Sequence, residues 1–150
     1  NHDKSKQNVQ IDLNKTVSEI IQTLHIPKHI NITINKKLPI ITGEETKFQQ
    51  LFQNLLNNAV THIDKEKGYV EIGFKIKKEE YEFYVKDNGV GIDKKYHEQI
   101  FEIFYYITKN KNSSGIGLSI VKKIVEIYGG KIWVDSELER GTTFYFTIKK

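Results

Sequence analysis

Asp87 is followed closely by two glycines, Gly89 and Gly91, and an acid beside such a glycine turn could form part of a ligand site. In the run from Tyr81 to Asp87, apolar and polar residues alternate as side chains do across a strand. Asp87 keeps the phase of the apolar face, where a carboxylate is costly unless it is hydrogen-bonded. Glycine allows a sharp turn and a close approach by another group. The pattern predicts the floor of a pocket, although an ordinary Asp-Asn-Gly turn after a strand would also produce it.

A second polar pattern lies on the helix that the sequence predicts most clearly. Its apolar stripe follows the helical period and consists of Phe48, Leu51, Phe52, Leu55, Leu56, Ala59, Val60 and Ile63. Asn54, Asn58, Thr61 and His62 form another stripe with the same spacing. Asparagine is a weak helix former, so two of them one turn apart suggest amide oxygens directed at a ligand or a hydrated Mg²⁺. Solvated surface, or a general bias toward asparagine, is the alternative explanation.

The third feature is the glycine-flanked start of a later helix. Gly115-Ile116-Gly117 precedes a run with apolar residues at helical spacing from Leu118 to Tyr128. The first turn of a helix has free N–H groups and a positive dipole end, which suit phosphate. With the acid and the amides, this helix start outlines a nucleoside triphosphate site. The chain has neither a Walker lysine motif nor a Rossmann glycine fingerprint.

Hydrophobic periodicity and the positions of turn and cap residues predict the helices and strands that carry these residues. Asn14 is predicted to cap a helix that runs to about His25, and Thr42 with Glu45 to form a capping box for the next one. Gly129-Gly130 is predicted to end the last helix, and Lys94 to Glu98 to form a short helical turn. The predicted strands are Val9–Leu13, Ile30–Ile34, Leu38–Ile41, Tyr69–Lys77 with Val70, Ile72, Phe74 and Ile76 inward, Tyr81–Asp87, Lys131–Asp135 and Thr142–Ile148.

These elements predict an α+β fold, a two-layer α/β sandwich in which helices pack on one face of a mixed sheet. The two middle strands form a hairpin, and the last two strands are also closely joined. A doubly wound parallel sheet is disfavoured because parallel neighbours need long crossover connections.

Length and composition restrict the class of protein. The 150 residues are one domain's worth of chain, and no cysteine is present for disulfides, thiolate catalysis or cysteine-ligated metals. The net charge of +4 comes almost entirely from dispersed lysines, with Arg140 the single arginine, which argues against nucleic-acid binding. No apolar run reaches membrane-spanning length. Because methionine is absent even at position 1, we expect this chain to be a piece of a longer protein.

In this order, the motifs resemble those of the catalytic, ATP-binding domain of bacterial sensor histidine kinases, within the gyrase, heat-shock chaperone and mismatch-repair ATPase superfamily. The resemblance covers the chain from about Val9 to Lys150. The matching motifs are Asn54–Ala59 for the asparagine box, Asp87–Gly91 for the first glycine box, Ile100–Phe104 for the phenylalanine box, Gly115–Leu118 for the second glycine box and Gly141–Phe144 for the closing glycine-threonine motif.

The resemblance implies a Bergerat-type ATP-binding fold over residues 9–150, preceded by a linker at 1–8, with ATP and Mg²⁺ as ligands. Asp87 would accept a hydrogen bond from the adenine amino group, with Thr142 assisting, and Asn58 would hold the metal. Residues 105–114 would form a lid. The catalytic residues would be Asn54 and Asn58, and the nucleotide-binding residues would be Asn58, Thr61, His62, Asp87, Gly89, Gly91, Ile92, Phe104, Lys109, Lys111, Ser114, Gly115, Ile116, Gly117, Leu118 and Thr142.

The chain departs from the family pattern at three places. Thr61 stands where a lysine or arginine is usual, so that a phosphate contact is missing unless Lys109 or Lys111 replaces it. Ser113 stands where the second glycine box usually begins with one more glycine, and the lid is short. These departures bear on nucleotide affinity and on the geometry of the lid.

Asn54 also distinguishes between activities. Hydrolases of the superfamily carry a glutamate at this position as the general base for water, and an amide cannot take a proton near neutral pH. The resemblance therefore implies phosphoryl transfer to a histidine on a separate dimerisation domain, with a response regulator receiver domain as a second partner. We expect the isolated domain to be monomeric and cytoplasmic, and the parent to be a homodimer that a membrane segment elsewhere could anchor. An anti-sigma-type serine kinase and a degenerate nucleotide-binding or interaction module are the alternatives.

Overall fold

The computed structural model describes residues 8–102 and 117–150. The expectations for residues 1–7, for the lid at 105–114 and for Phe104, Lys109, Lys111, Ser113, Ser114, Gly115 and Ile116 lie outside the described residues. The elements in chain order are β1 (Val9–Asp12), α1 (Leu13–Thr23), β2 (Ile30–Ile34), β3 (Ile40–Gly43), α2 (Glu45–Thr61), β4 (Gly68–Ile76), β5 (Glu80–Asp87), two 3-10 turns (Lys94–Tyr96 and Gln99–Phe101), α3 (Gly117–Ile127), β6 (Ile132–Glu137) and β7 (Gly141–Lys149).

The main sheet has five strands in the order β2-β4-β5-β7-β6. β2 is parallel to β4, and the other neighbouring pairs are antiparallel. β1 and β3 form a separate antiparallel pair. The mixed sheet and the hairpin between β4 and β5 confirm the predictions from the sequence.

The core lies between the helices and one face of this sheet. The predicted stripe of α2 is confirmed, since Phe48, Leu51, Phe52, Leu55 and Leu56 are fully buried. Aromatic rings continue the packing into the sheet: Phe52 meets the ring of Phe83 edge-on at 6.1 Å, and Phe83 stacks on Phe146 at 5.1 Å. The opposite face of the sheet carries partly exposed residues such as Tyr84 and Trp133. The α+β two-layer arrangement with helices on one face is therefore confirmed.

The prediction that Asn14 caps the first helix is wrong. The cap is Asp12, whose backbone is extended and whose side chain accepts the Asn14 N–H at 3.0 Å. Asn14 lies in the first helical turn and reaches across to Leu38, donating to its carbonyl oxygen and accepting from its N–H, both at 2.8 Å. The helix ends at Leu24, before Pro27.

Two further local predictions are wrong. Thr42 does not form a capping box with Glu45, because Thr42 lies in β3 opposite Gln10 and the N-cap position is Glu44, which makes no side-chain cap bond. Ile76 was predicted to face inward with Phe74, but it is 63% exposed. It is the last residue of β4, opposite Tyr81 at the hairpin end, where the strand is no longer covered.

The end of α3 confirms the predicted glycine cap. Gly129 has a φ of +73°, and the Gly130 N–H donates to the carbonyl oxygen of Val125 at 3.0 Å. Across the described ranges, none of the helices combines the length and the apolar character that a membrane crossing requires.

Candidate functional site

Asp87 ends β5 with its side chain 5% exposed, on the face predicted from the alternation. Its Oδ1 accepts the N–H of Gly89 at 2.8 Å. In the sheet, Asp87 lies opposite Val70 of β4 and Thr142 of β7. The carboxylate is thus held by a hydrogen bond from the turn that follows it, at the inner edge of the sheet.

Burial raises the pKa of the Asp87 carboxyl above its usual value. The backbone N–H groups of Gly89 and Thr142 oppose this rise in the pKa, as do the nearby side chains of His62 and Lys65. A charged oxygen with these partners remains a strong hydrogen-bond acceptor. It suits a ligand group that only donates.

The glycine turn after Asp87 is held between two elements. On one side, Val90 donates its N–H to the carbonyl oxygen of His62 at 3.0 Å, and a Cβ on Gly89 would overlap that oxygen. On the other side, Glu139 donates its N–H to the Val90 carbonyl at 2.7 Å. Gly91 has a φ of +79°, and a Cβ there would overlap the carbonyl oxygen of Glu137. Both glycines are therefore required by close backbone approach, which is more than an ordinary turn needs.

Ser136 of β6 is a buried residue of this site that the sequence reading missed. Its Oγ accepts the Ile92 N–H at 2.7 Å, donates to the Gly141 carbonyl at 2.9 Å and lies 2.8 Å from Thr142 Oγ1. Ser136 is 3% exposed and Thr142 is 6% exposed. The alternation along the sequence does indicate it: Ser136 follows Val134 by two positions and so shares its inner face, as Asp87 does with Val85 on β5.

Lys65 is a second residue that the sequence reading missed. Its Nζ donates to the carbonyl oxygens of Asn88 at 2.8 Å and Gly89 at 3.2 Å. The Asn88 side chain accepts the Tyr69 N–H at 2.8 Å and donates to the Lys67 carbonyl at 2.9 Å. These bonds fix the glycine turn to the segment that enters β4.

The polar stripe of α2 runs from the glycine turn to the start of α3. The His62 Nδ1 and backbone N–H both donate to the Asn58 carbonyl, at 2.7 and 3.2 Å, while the His62 carbonyl meets the glycine turn. Asn54, eight residues earlier and hence about 12 Å along the helix, donates to the Gln50 carbonyl at 2.9 Å. Its Oδ1 would lie 3.1 Å from a Cβ on Gly117, the first residue of α3.

The remaining predicted site residues differ in their exposure. Asn58 is half-buried between Asn54 and His62, whereas Thr61 is exposed at the helix end. Leu118 is 2% exposed and its side chain belongs to the core, so that only its backbone could reach a ligand. Ile92 is half-buried and is fixed to Ser136 through its backbone.

Mg²⁺ needs few protein ligands because it keeps several waters and binds substrate phosphates. Within residues 8–102 and 117–150, no group of three or more histidine, aspartate or glutamate side chains is placed to hold a metal. Asn58 is half-buried on α2, between the glycine turn and the start of α3. Its side-chain amide oxygen is a ligand of the type that Mg²⁺ accepts. The residues present therefore fit a metal that is carried with a phosphate ligand.

A cavity of about 470 Å³ opens on the other face of the sheet. Its lining includes Glu71, Tyr84, Lys86, Thr143 and Tyr145, which alternate with the inward residues of their strands. This cavity is lined by charges of both signs and is open to solvent. Its lining also includes Asp87, Ser136, Gly141 and Thr142, so the cavity reaches the end of the sheet where Asp87 lies.

Comparison with known proteins places the chain in a family. The model of the family described as "Histidine kinase-, DNA gyrase B-, and HSP90-like ATPase" matches residues 43–150. Cyanobacterial phytochrome A of Nostoc sp. is 43% identical over 120 residues, which cover 79% of this chain and 16% of that protein. Sensor histidine kinase WalK of Bacillus subtilis is 32% identical over 148 residues, which cover 92% of this chain and 24% of WalK.

Solved structures of the histidine kinase ThkA have the same fold. Its catalytic domain is 28% identical, with a TM-score of 0.82 over 96% of this chain and 96% of that one. The structure of ThkA in complex with response regulator protein TrrA matches at 26% identity with a TM-score of 0.75, over 95% of this chain and 42% of that chain.

The chain spans less than a quarter of the length of these two curated relatives. Their names and the fold agree with the order of the motifs along the sequence. The protein belongs to the family of histidine kinase-, DNA gyrase B- and HSP90-like ATPases, and it is an ATP-binding domain of the kind found in sensor histidine kinases.

Proposed function

We propose that this domain binds Mg²⁺-ATP and positions its γ-phosphoryl group for transfer to a histidine on a separate dimerisation domain. The observation that carries the proposal is the polar stripe of α2. It runs from Asn54, which lies against the start of α3, to His62, whose carbonyl meets the glycine turn beside Asp87. A phosphate end and a base end are thus joined by one rigid helix, with Asn58 between them.

At the base end, the Asp87 carboxylate selects adenine. An ionised carboxylate only accepts hydrogen bonds. Adenine has an amino group at its six position, whereas guanine has an oxygen there that would face the carboxylate. Leaving a buried acceptor unpaired costs about 1–3 kcal/mol, which is enough to favour ADP over GDP.

At the phosphate end, the first turn of α3 provides N–H groups and a positive dipole for the phosphates. Asn54 packs against Gly117 and holds that turn against α2. Asn58 would be the protein ligand of Mg²⁺, which would neutralise charge on the phosphates.

The domain lacks a general base for hydrolysis at the position where a glutamate would serve. The Asn54 amide cannot accept a proton, and its nitrogen donates to the Gln50 carbonyl. The nucleophile of the reaction would be the imidazole of the acceptor histidine, which needs only to be positioned. A response regulator would then take the phosphoryl group, as the complex of ThkA with TrrA suggests. We place the domain in the cytoplasm, within a parent protein that acts as a homodimer.

The test is transfer of labelled γ-phosphate from ATP to the helical hairpin of the parent protein, supplied as a separate polypeptide. We expect acid-labile label on a histidine of the hairpin, and little label or phosphate release from the domain alone. Asn58→Ala should abolish the transfer. Asn57→Ala is the matched control, because Asn57 is exposed on the same helix and should leave the transfer unchanged.

Two results would contradict the proposal. Acid-stable label on a protein substrate would favour a serine kinase. Rapid phosphate release by the domain without any partner would favour an ATPase.

A further inference from the structure

The buried hydroxyl of Ser136 has a complete set of hydrogen-bond partners. It is 3% exposed and lies within 2.7–2.9 Å of the Ile92 nitrogen, the Gly141 carbonyl oxygen and the Thr142 hydroxyl oxygen. A serine hydroxyl has one proton and two lone pairs. Three partners therefore use its full capacity.

The identities of two partners determine how the third bond is made. The Ile92 N–H can only donate, so Ser136 accepts from it. The Gly141 carbonyl can only accept, so the Ser136 proton is directed there. The remaining contact, 2.8 Å between Ser136 Oγ and Thr142 Oγ1, must then use the proton of Thr142. Thr142 is left with lone pairs only for any other partner.

We propose that Ser136 is a specificity-determining residue that holds the Thr142 hydroxyl as a hydrogen-bond acceptor beside Asp87, so that the site selects a 6-aminopurine and rejects a 6-oxopurine. This inference rests on the proposed binding of a nucleotide at Asp87. Asp87 and Thr142 are opposite each other in the register of β5 and β7, and directly opposed side chains point to the same side of a sheet. Both are buried. Two adjacent acceptors require a donor from the ligand.

A second buried hydroxyl on the same pair of strands provides a matched control. Thr147 Oγ1 accepts the Lys131 N–H at 2.9 Å, and Thr147 is 4% exposed. It lies five residues along β7 from Thr142, opposite Glu82. Thr147→Val removes a buried hydroxyl and leaves a backbone N–H without its partner, as Ser136→Ala does, but at a distance from the acceptor pair.

The experiment measures the dissociation constants of ADP and of inosine diphosphate, whose base has an oxygen at position six, by calorimetry. In the wild type, ADP should bind more tightly. Ser136→Ala frees the Thr142 proton to turn toward the ligand, so the ratio of the two constants should narrow by about threefold to tenfold, the range for one hydrogen bond. Thr147→Val should lower the melting temperature and leave the ratio unchanged.

A solely structural role for Ser136 would appear as a loss of affinity for both nucleotides by the same factor, and this result would overturn the inference. If Ser136→Ala does not fold, Thr142→Val decides the question. Valine removes the acceptor, so ADP should weaken by about threefold to tenfold while inosine diphosphate does not. A greater loss for inosine diphosphate would mean that Thr142 donates, and the inference would be wrong.

The outcomes for the wild type separate this inference from the proposed function. A wild-type domain that prefers ADP, with a ratio that Ser136→Ala does not change, contradicts the role of Ser136 alone. A wild-type domain that binds neither nucleotide contradicts the proposed function and the inference together.

Discussion

At the scale of single residues, the charge of Asp87 can be tested directly. In Asp87→Asn, the amide oxygen can keep the Gly89 N–H bond, but the NH₂ group then faces the adenine amino group, donor against donor. Hydrogen bonds to charged groups contribute about 1.5–3 kcal/mol, so ADP affinity should fall by roughly 10- to 100-fold. Calorimetry with ADP measures this change.

Asp135→Asn is the control for Asp87→Asn. Asp135 lies on the edge strand β6, which β7 separates from β5, and it is exposed and faces away from the inner site. Its substitution should leave ADP affinity within experimental error. Equal affinities for the wild type and Asp87→Asn would show that the carboxylate does not contact the base.

The raised pKa of Asp87 predicts a dependence of stability on pH. Because burial raises this pKa, the folded state binds a proton more readily than the unfolded state does. The associated stability is complete below the unfolded pKa of about 3.9 and is lost as pH rises through the folded pKa. The free energy of unfolding of Asp87→Asn should therefore rise relative to that of the wild type as pH increases from about 4 through the raised pKa. Urea denaturation at several pH values measures the difference.

A difference in unfolding free energy between the two proteins that stays constant over this range would contradict the burial of a charged carboxylate.

The affinity of the wild type for ADP should depend on the same titration of Asp87. It should weaken as pH falls through the raised pKa, since a protonated carboxyl is a poorer partner for the adenine amino group. Asp87→Asn should show no such trend.

The residues of the site were predictable from the sequence where alternation reaches them. Asp87 was found because it breaks the apolar phase of a strand, and Ser136 carries the same signal on β6. Lys65 carries none. It lies in the connection between α2 and β4, and its bonds to Asn88 and Gly89 depend on the path of that connection, which no periodicity specifies.

At the scale of elements, the glycine turn is hydrogen-bonded to both α2 and the β6–β7 hairpin, so the placement of these two elements determines the geometry of the site. Gly91→Ala should destabilise the fold by more than the 1–3 kcal/mol expected for a non-glycine residue at positive φ, because its Cβ would also overlap the Glu137 carbonyl. Displacing the hairpin moves Ser136 and Thr142, so ADP affinity should fall as well. Thermal unfolding and calorimetry measure the two effects.

Gly129→Ala is the matched control for the cost of a positive φ without the steric overlap. Gly129 has a φ of +73°, close to that of Gly91, but the nearest atom to its Cβ would be Cδ of the flexible Lys149 side chain at 3.2 Å. Its cost should stay at about 1–3 kcal/mol, with no loss of ADP affinity. If Gly91→Ala costs no more than Gly129→Ala, the hairpin is not fixed by this contact.

The helix starts were the least predictable elements. Thr42 and Glu45 have the spacing of a capping box, yet Thr42 pairs with Gln10 in a strand contact more than thirty residues away in sequence. Asn14 is a good cap residue, but Asp12 takes that position and Asn14 bonds to Leu38. In both cases a long-range contact decided between local alternatives. The α2 stripe was predicted correctly because its periodicity continues over four turns.

At the scale of the whole molecule, the fold extends beyond the family match. That match begins at residue 43, but the chain before it supplies β1, α1, β2 and β3. Leu13 and Val17 of α1 are fully buried in the common core. β2 adds a parallel edge strand to β4, and β1 pairs with β3. The sequence resemblance from about Val9 is the better guide to the folding unit.

We therefore expect the folding unit to begin near residue 9 and not at residue 43. A fragment of residues 43–150 should not unfold cooperatively, because it lacks the buried residues of α1 and leaves the edge of β4 unpaired. A fragment of residues 9–150 should keep the melting temperature of the full chain. Asn14→Ala tests the same dependence without truncation, because it removes the hydrogen-bond partners of both the N–H and the carbonyl oxygen of Leu38. The free energy of unfolding should fall by about 1–3 kcal/mol. The control is Lys15→Ala, at an exposed neighbouring position, which should change the stability little. Circular dichroism melts compare these two fragments and two variants with the full chain. A cooperative transition for residues 43–150 at the temperature of the full chain would place the boundary at residue 43 instead.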